Sequence, residues 1–449
     1  MFALAIAALS LWLPIPAVHA EDPPRPWTFL WYAAVDNNCD GPVQELLGSA
    51  RNALDDDPGL ELLLLVDRHA QYSDEAVLLG EDFTGTRLYR IRRDSAERLD
   101  GGDFLPGITK TADVELDTAD PVNLRRFLAW GKARFPARHY GLVIYGHANG
   151  ESMCPDEESG HRMGIADLTR VAGAELSVDF LALELCAMAG IEIAYQWRPG
   201  NGGFGADVLL AVPNSGPSLD WDRVFARIRS SGHASPAQEP VLDPARMSAL
   251  ELGRLAIEKF HRGRIASAAR GEGMAHEAAA CYDLREAAAV KAAVDALAVA
   301  LARTESRDVF LEVRGPGPIG STLDYSNGGA TIDLYDLCRR AEEYLGDQVG
   351  PEAAAVRRAL ERFVVASFGM PGYPGFEPGK DGVYIMFPRP SEWREFTWYS
   401  PLQAKPAWSG NWAFLRDGAT PANGVVENWF ELLHAWFDDP EGGPNAYRW

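Results

Sequence analysis

Five short runs of nearly uninterrupted apolar residues punctuate the first half of the chain, and they constrain its fold more than any other feature. They are residues 27–35 (WTFLWYAAV), 60–66 (LELLLLV), 141–145 (GLVIY), 178–185 (VDFLALEL) and 208–212 (VLLAV). Each is bounded by turn-forming or polar residues and is too short for a buried helix, so each reads as a strand covered on both faces. Segments of helical spacing lie between them at 42–53, 122–135, 187–197 and 221–229, and a weaker strand is expected at 87–91. Asp120 reads as the N-cap of the second helix, with Pro121 at its first position. Strands alternating with helices predict a mostly parallel sheet in an α/β fold. In such sheets chemistry gathers in the loops at the carboxyl ends of the strands. His147 stands there after GLVIYG, and Cys186 after VDFLALEL.

The polar segment 150–177, which contains DEESG at 156–160, reads as an exposed loop. From about residue 238 the texture changes to Ala/Leu/Arg-rich helices at 244–262, 284–302, 334–344 and 351–368, with one more strand at 382–388 (GVYIMFP). A boundary near 232–240 is therefore expected. It would separate a sheet domain, residues 21–235, from a helix-rich domain, residues 236–449, with one added strand. The tail carries Trp408, Trp412, Trp429, Trp436 and Trp449. These either fill the second core or form an interaction surface, and side chains with so much apolar area favour the core.

Residues 1–20 hold no Lys, Arg, Asp or Glu; an apolar stretch ends at Pro14 and Pro16, and Val18-His19-Ala20 follows. That stretch is too short to span a bilayer and reads as a secretory signal, which places the mature chain in the periplasm or outside the cell. No positive side chain precedes the stretch, as a signal would ordinarily have. The net charge of −22 and the absence of a basic cluster argue against nucleic acid as a partner. An acidic field would instead attract cationic substrates.

A cysteine becomes a strong nucleophile as the thiolate, and a histidine can take its proton and later return it to a leaving amine. Neighbouring strand ends would bring His147 and Cys186 together across the sequence. The bland alternatives are a loop histidine and a small buried cysteine. The segments WYAAVDNNCD, GLVIYGHANG, LALELCAMAGIEIAYQW and AVPNSGPSLDW, with CYDL, ATIDLYDLC and GVYIMFP further on, resemble in their order the clostripain-like cysteine peptidases. That family shares a clan with caspases, gingipains, legumain and separase. The resemblance implies a caspase-like α/β/α sandwich and peptide-bond hydrolysis by a Cys–His dyad. His147 and Cys186 would be the dyad, and the backbone N–H groups of Ala148 and Cys186 the oxyanion donors. It also implies cleavage after Arg or Lys, with Glu184 facing the substrate cation. Asp220, Trp221 and Asp222 are weaker candidates for the pocket wall, the two aspartates being read in the first place as helix N-cap charges.

Family members are often zymogens cut between the histidine and the cysteine, which makes Arg162 and Arg170 candidate activation sites. The product would be a monomer or two chains that stay associated. Some relatives need calcium. The chain has no ligand-loop pattern such as D-x-D-x-D-G, so calcium stays open as what the resemblance allows, and no cofactor or metal is assigned from the sequence. Departures from the family pattern are Ala148 where Gly is usual, Gly146 where Asp or Asn is common, Leu185 where a small residue is common, and Glu184 in place of Asp. A positive φ at Ala148 would strain the oxyanion site and a negative φ would not. These departures leave a second reading open, an inactive homologue that binds peptides or proteins through the same cleft. The five cysteines leave one thiol over. Pairing Cys39 with Cys154 and Cys281 with Cys338 would leave Cys186 free, an expectation from parity alone.

Overall fold

A computed structural model describes residues 24–54, 59–72, 78–112, 114–214, 219–230, 241–272, 275–304, 307–314, 323–325, 330–393 and 412–437. The strands are β1 (Arg25–Val35), β2 (Leu60–Arg68), β3 (Gly85–Arg92), β4 (Ser95–Arg98), β5 (Ala137–Tyr145), β6 (Ser152–Met153), β7 (Met163–Gly164), β8 (Val178–Glu184), β9 (Ala206–Ala211), β10 (Ala278–Asp283), β11 (Thr331–Asp333), β12 (Val364–Gly369) and β13 (Tyr384–Met386). The helices are α1 (Asp40–Ala53), α2 (Pro121–Arg134), α3 (Ile165–Val171), α4 (Ile191–Gln196), α5 (Trp221–Phe225), α6 (Ala249–Ala269), α7 (Ala287–Arg303), α8 (Arg307–Arg314), α9 (Leu334–Leu345), α10 (Gly350–Phe363), α11 (Ala413–Arg416) and α12 (Trp429–Phe437).

Nine strands form one sheet in the order β12-β10-β9-β8-β5-β1-β2-β3-β4. The central pairs from β9 through β2 are parallel, and the strands added at both edges are antiparallel. The five apolar runs of the sequence supply the parallel core. Their side chains alternate between two buried faces, as doubly covered strands require. On β1, Leu30, Tyr32 and Ala34 join Leu124 of α2, Leu168 of α3 and Val290 of α7. Phe29, Trp31 and Ala33 join Val43 of α1, Trp221 of α5 and Phe260 of α6 on the other face. The α/β class and the layered architecture are as expected. Asp120 caps α2, its side chain accepting from the Val122 N–H.

The expected boundary near 235 does not separate two cores. Strands β10 and β12 come from the second half and extend the same sheet, with β10 hydrogen-bonded to β9. Among the described residues, four strands rather than one lie beyond that boundary. Residues 150–177 are likewise not an exposed loop. They form the β6–β7 hairpin and α3, and Met153, Met163, Ile165 and Leu168 are fully buried. Trp412 and Trp429 fill core positions, and the Trp429 indole donates to the Met386 carbonyl. Trp408, Trp449, residues 1–20 and the whole of the boundary segment 232–240 lie outside the described residues.

All five cysteines are free thiols. The expected disulfides are absent because the sheet separates their partners. Cys281 belongs to the core on the α6 side and Cys338 to the core on the opposite face. Cys154 is likewise in the opposite core from the one against which Cys39 packs.

Candidate active site

Strands β5 and β8 are adjacent and parallel, and their register sets Tyr145 opposite Glu184. His147 and Cys186 therefore occupy corresponding positions two residues on, at the carboxyl edge of the sheet. Both line a cavity of about 180 Å³, with Cys39, Pro42, Tyr145 and Glu184. Cys186 and His147 are half-buried.

The backbone around them is tightly specified. Gly146 has φ +150°, and a Cβ there would stand 2.5 Å from the Ala34 carbonyl oxygen, so Gly is required before the histidine. After Cys186, Ala187 adopts φ +56°, an uncommon left-handed conformation for a residue with a Cβ. Its neighbours hold it there. The Ala187 N–H donates to the Asn214 carbonyl at 3.1 Å, and the Tyr384 hydroxyl of β13 donates to the Ala187 carbonyl at 2.6 Å. Behind the turn, buried Glu192 of α4 accepts from the Met386 N–H. Burial raises the Glu192 carboxyl to about 7.

Ala148 does not have positive φ, so its methyl brings no backbone strain. Among the described residues, neither the Ala148 nor the Cys186 backbone N–H donates to another group. Both remain available to a developing oxyanion.

The His147 ring is held from β1. Its Nε2 lies 2.5 Å from Asn38 Oδ1 and 3.3 Å from Cys39 Sγ. An amide oxygen accepts, so Nε2 carries the proton and Nδ1 keeps the lone pair. Burial and then the Arg162 charge lower the His147 pKa below its ordinary value, which keeps the ring neutral. Burial, with the nearby Cys186 adding to it, pushes the Cys39 thiol up to about 12, so Cys39 stays protonated.

Glu184 is buried beneath the cavity. It accepts from the Leu219 N–H and from the Trp221 indole N–H. Burial raises it to about 8 against the lowering effect of those two bonds. The other pocket candidates do not line the cavity. Trp221 is buried and acts on Glu184. Asp220 accepts from Arg264, and Asp222 lies in the first turn of α5. Of the two activation candidates, Arg162 is exposed on the strand of chain entering β7. Arg170 sits inside α3, paired with Asp167.

A profile of the clostripain family matches residues 31–429. The chain belongs to the clostripain family. It is 32% identical to clostripain of Hathewaya histolytica, over 94% of this chain and 89% of that protein. Its fold is also that of two solved structures, each 17% identical with a TM-score of 0.55. One is an inactive zymogen C11 protease from Parabacteroides distasonis, covering 82% of this chain and 94% of that one. The other is a secreted C11 cysteine protease from Bacteroides thetaiotaomicron in complex with an irreversible peptide inhibitor, covering 83% and 97%. This clostripain-family chain is thus a cysteine peptidase, and polypeptides are its substrates.

Sequence reasoning missed Asn38, Cys39 and Tyr384 as parts of this clostripain-type site. The first two follow an apolar run at the same sheet edge as His147, which was the available signal. Tyr384 approaches from 198 residues beyond Cys186, and no local pattern announces that. Beside the site, ligand atoms of Asp36, Glu115 and Asp156 fall within 4.8 Å of one another, as do those of Asp36, His69 and Glu158.

Proposed function

We propose that this peptidase hydrolyses peptide bonds after Arg or Lys through His147 and Cys186. The observation that carries the reading is that both residues line one cavity with buried Glu184 beneath it. In the proposed reaction Cys186 passes its proton to His147 and the thiolate attacks the carbonyl carbon. The oxyanion accepts from the Ala148 and Cys186 N–H groups. The intermediate collapses to a thioester as the imidazolium protonates the leaving amine, and water then releases the acid. Among the described residues no hydrogen bond joins His147 to Cys186, so one of the two side chains must shift for the proton to pass. That supports a latent form, activated by cleavage after exposed Arg162.

A guanidinium entering the cavity would favour the ionised form of Glu184 and pair with it in a site of low polarity. The first 20 residues would direct export. No helix among the described residues is long and apolar enough to cross a membrane. A monomer, whole or as two associated chains, suffices for a cavity built from one sheet edge.

A panel of fluorogenic peptides that differ only in the residue before the cut bond tests this. Arg and Lys peptides should be cleaved and Leu or Asp peptides not, and Cys186→Ala should abolish the signal. Glu184→Gln should reduce kcat/KM for the Arg peptide by roughly 100-fold, the scale of losing one partner of a desolvated charge pair. Cleavage of all peptides alike, or full activity in Cys186→Ala, would sink the assignment.

A further inference from the structure

The sheet edge that carries His147 and Cys186 continues past them. β9 ends there at Ala211, β10 starts there with Ala280 opposite Ala211, and β12 ends there with Gly369 opposite Ala278. Past the end of β12, residues 369–376 (GMPGYPGF) face the C-terminal half of α6 across an open groove of about 520 Å³. His261, Ile265 and Ala268 line it from α6 as one stripe at helical spacing, and Met370, Tyr373 and Phe376 line it from the other side. No Asp, Glu, Lys or Arg is among the described residues that line it. Ile265 is 52% exposed, which is rare here for a large apolar side chain; among the described residues only Tyr344 and Val425 join it as exposed large hydrophobics. The groove is preformed. The Met370 N–H donates to the Glu277 carbonyl and the Gly372 N–H to the Ala275 carbonyl, each at 2.8 Å, and a Cβ on Gly372 would stand 2.4 Å from that Ala275 oxygen. The His261 ring stacks on Phe368 at 4.9 Å.

A bonded floor links this groove to the catalytic cavity. Asn214, whose carbonyl holds the Ala187 N–H, donates from its side-chain amide to the His276 carbonyl. The His276 ring in turn meets Tyr373 edge-on at 5.5 Å. Arg264 of α6 pairs with Asp220, next in the chain to the Leu219 N–H that Glu184 accepts, and lies 3.8 Å from Glu277. The two sites also share a face of the sheet. Glu184 follows Phe180 and Ala182 on the side covered by α6, and Phe368 and Met370 lie on that side too.

We propose that this groove binds an apolar side chain of the polypeptide substrate, four residues upstream of the Arg or Lys at the cut bond. The position along the substrate rests on the peptidase reading, which sets the direction of the chain. His147, after β5, protonates the leaving amine, so the downstream part of the substrate lies on that side. Glu184 and Leu219, after the starts of which the sheet continues to β9, receive the residue before the cut. The upstream part therefore runs over β9 and β10 towards β12. Three strand spacings separate β8 from β12. At about 4.8 Å each they span roughly 14 Å, which an extended chain covers in about four residues. Side chains four apart in an extended chain point the same way, so a substrate that turns its basic residue down to Glu184 turns the other into the groove. Leu, Ile or Phe suits a groove without charge and removes Ile265 from water. The fixed rim needs no reordering to receive it.

The test uses the full wild-type chain and internally quenched peptides with a single Arg, in which only the residue four places before it varies. Leu or Phe there should give kcat/KM about tenfold above Ser or Asp. In Ile265→Asp the ratio of the Leu to the Ser peptide should fall to about one. That ratio, taken within one preparation, does not depend on how much of the variant has folded. Val425→Asp, an exposed apolar position elsewhere, should keep the full ratio. Dye-labelled peptides that end in the Arg report binding without chemistry, and the Leu form should bind about tenfold more tightly than the Ser form wherever Ile265 is intact. Equal kcat/KM for the Leu, Ser and Asp peptides, with Arg peptides still cleaved, would overturn the groove assignment and leave the peptidase reading standing. If no peptide is cleaved, the peptidase reading fails and binding alone decides: a Leu preference that Ile265→Asp removes keeps the groove, and equal affinities overturn it. A dimer in light scattering that Ile265→Asp splits, with the Leu-to-Ser ratio intact, would make the groove an interface between copies and overturn the proposal as well.

Discussion

At the residue scale, a small number of contacts decide what His147 and Glu184 can do. The 2.5 Å contact from Nε2 to Asn38 fixes both the tautomer and the plane of the ring, much as a carboxylate does for a catalytic histidine. Asn38→Ala should therefore lower kcat on the order of 100-fold with KM little changed. Cys39→Ala, which removes a protonated neighbour without an orienting role, should leave kcat within about threefold. Equal losses in the two variants, measured on one Arg peptide, would mean that Asn38 serves the fold and not the ring. Glu184 makes a separate prediction. Its carboxyl titrates at about 8 in the free protein, and only the carboxylate attracts a cation. Since kcat/KM reports free-enzyme ionisations, it should climb through about pH 8 for Arg peptides. A bound guanidinium lowers that pKa, so kcat should lack the limb. A flat kcat/KM profile between pH 7 and 9 would remove Glu184 from cation recognition.

At the element scale, the parts of the fold legible in sequence are those set by doubly buried parallel strands. Runs such as LELLLLV have no other stable placement, and the ends of two of them gave His147 and Cys186. The misses have equally local causes. Residues 278–283 (AAACYD) are Ala-rich and favour helix by propensity. They form β10 because α6 crosses close by, and a Cβ on its Gly253 would lie 2.3 Å from Cys281 Sγ. Tertiary packing demanded small side chains there, and propensity gave way to it. Helix α10 stops at Phe363, where the β-branched pair Val364-Val365 opens β12 instead of extending the helix to 368. The activation segment turns on the same distinction between elements. A peptidase needs an extended chain at the bond it cuts. Arg162 offers one and Arg170, inside α3, does not. Mass spectrometry of the wild-type chain after incubation should find a cut after residue 162, absent in Arg162→Gln, and none after 170 unless α3 has first been released.

At the scale of the whole molecule, the two halves share one sheet, which crosses the expected boundary and takes strands from each half. The fold also buries several acids. Asp36 and Asp333 are raised to about 6, Glu192 to about 7, Glu184 to about 8 and Asp381 to about 9, in each case chiefly by burial. Each folded value lies above the value of about 4 that an unfolded chain would show. The folded state therefore holds more protons than the unfolded state between about pH 4 and 9, and stability must fall as pH rises across that interval. Their contribution is fully present below about pH 4 and is lost progressively through 6 to 9. The net charge of −22 adds self-repulsion in the same direction. The thermal midpoint of the Cys186→Ala chain should drop by on the order of 5 °C from pH 5 to pH 9, a modest shift because a chain of this size unfolds with a large entropy. Glu192→Gln should flatten the part of that fall near pH 7, since it removes one titrating acid while retaining an acceptor for the Met386 N–H. A midpoint that climbs towards pH 9 would mean that these acids are already ionised in the folded chain and hold partners of opposite charge.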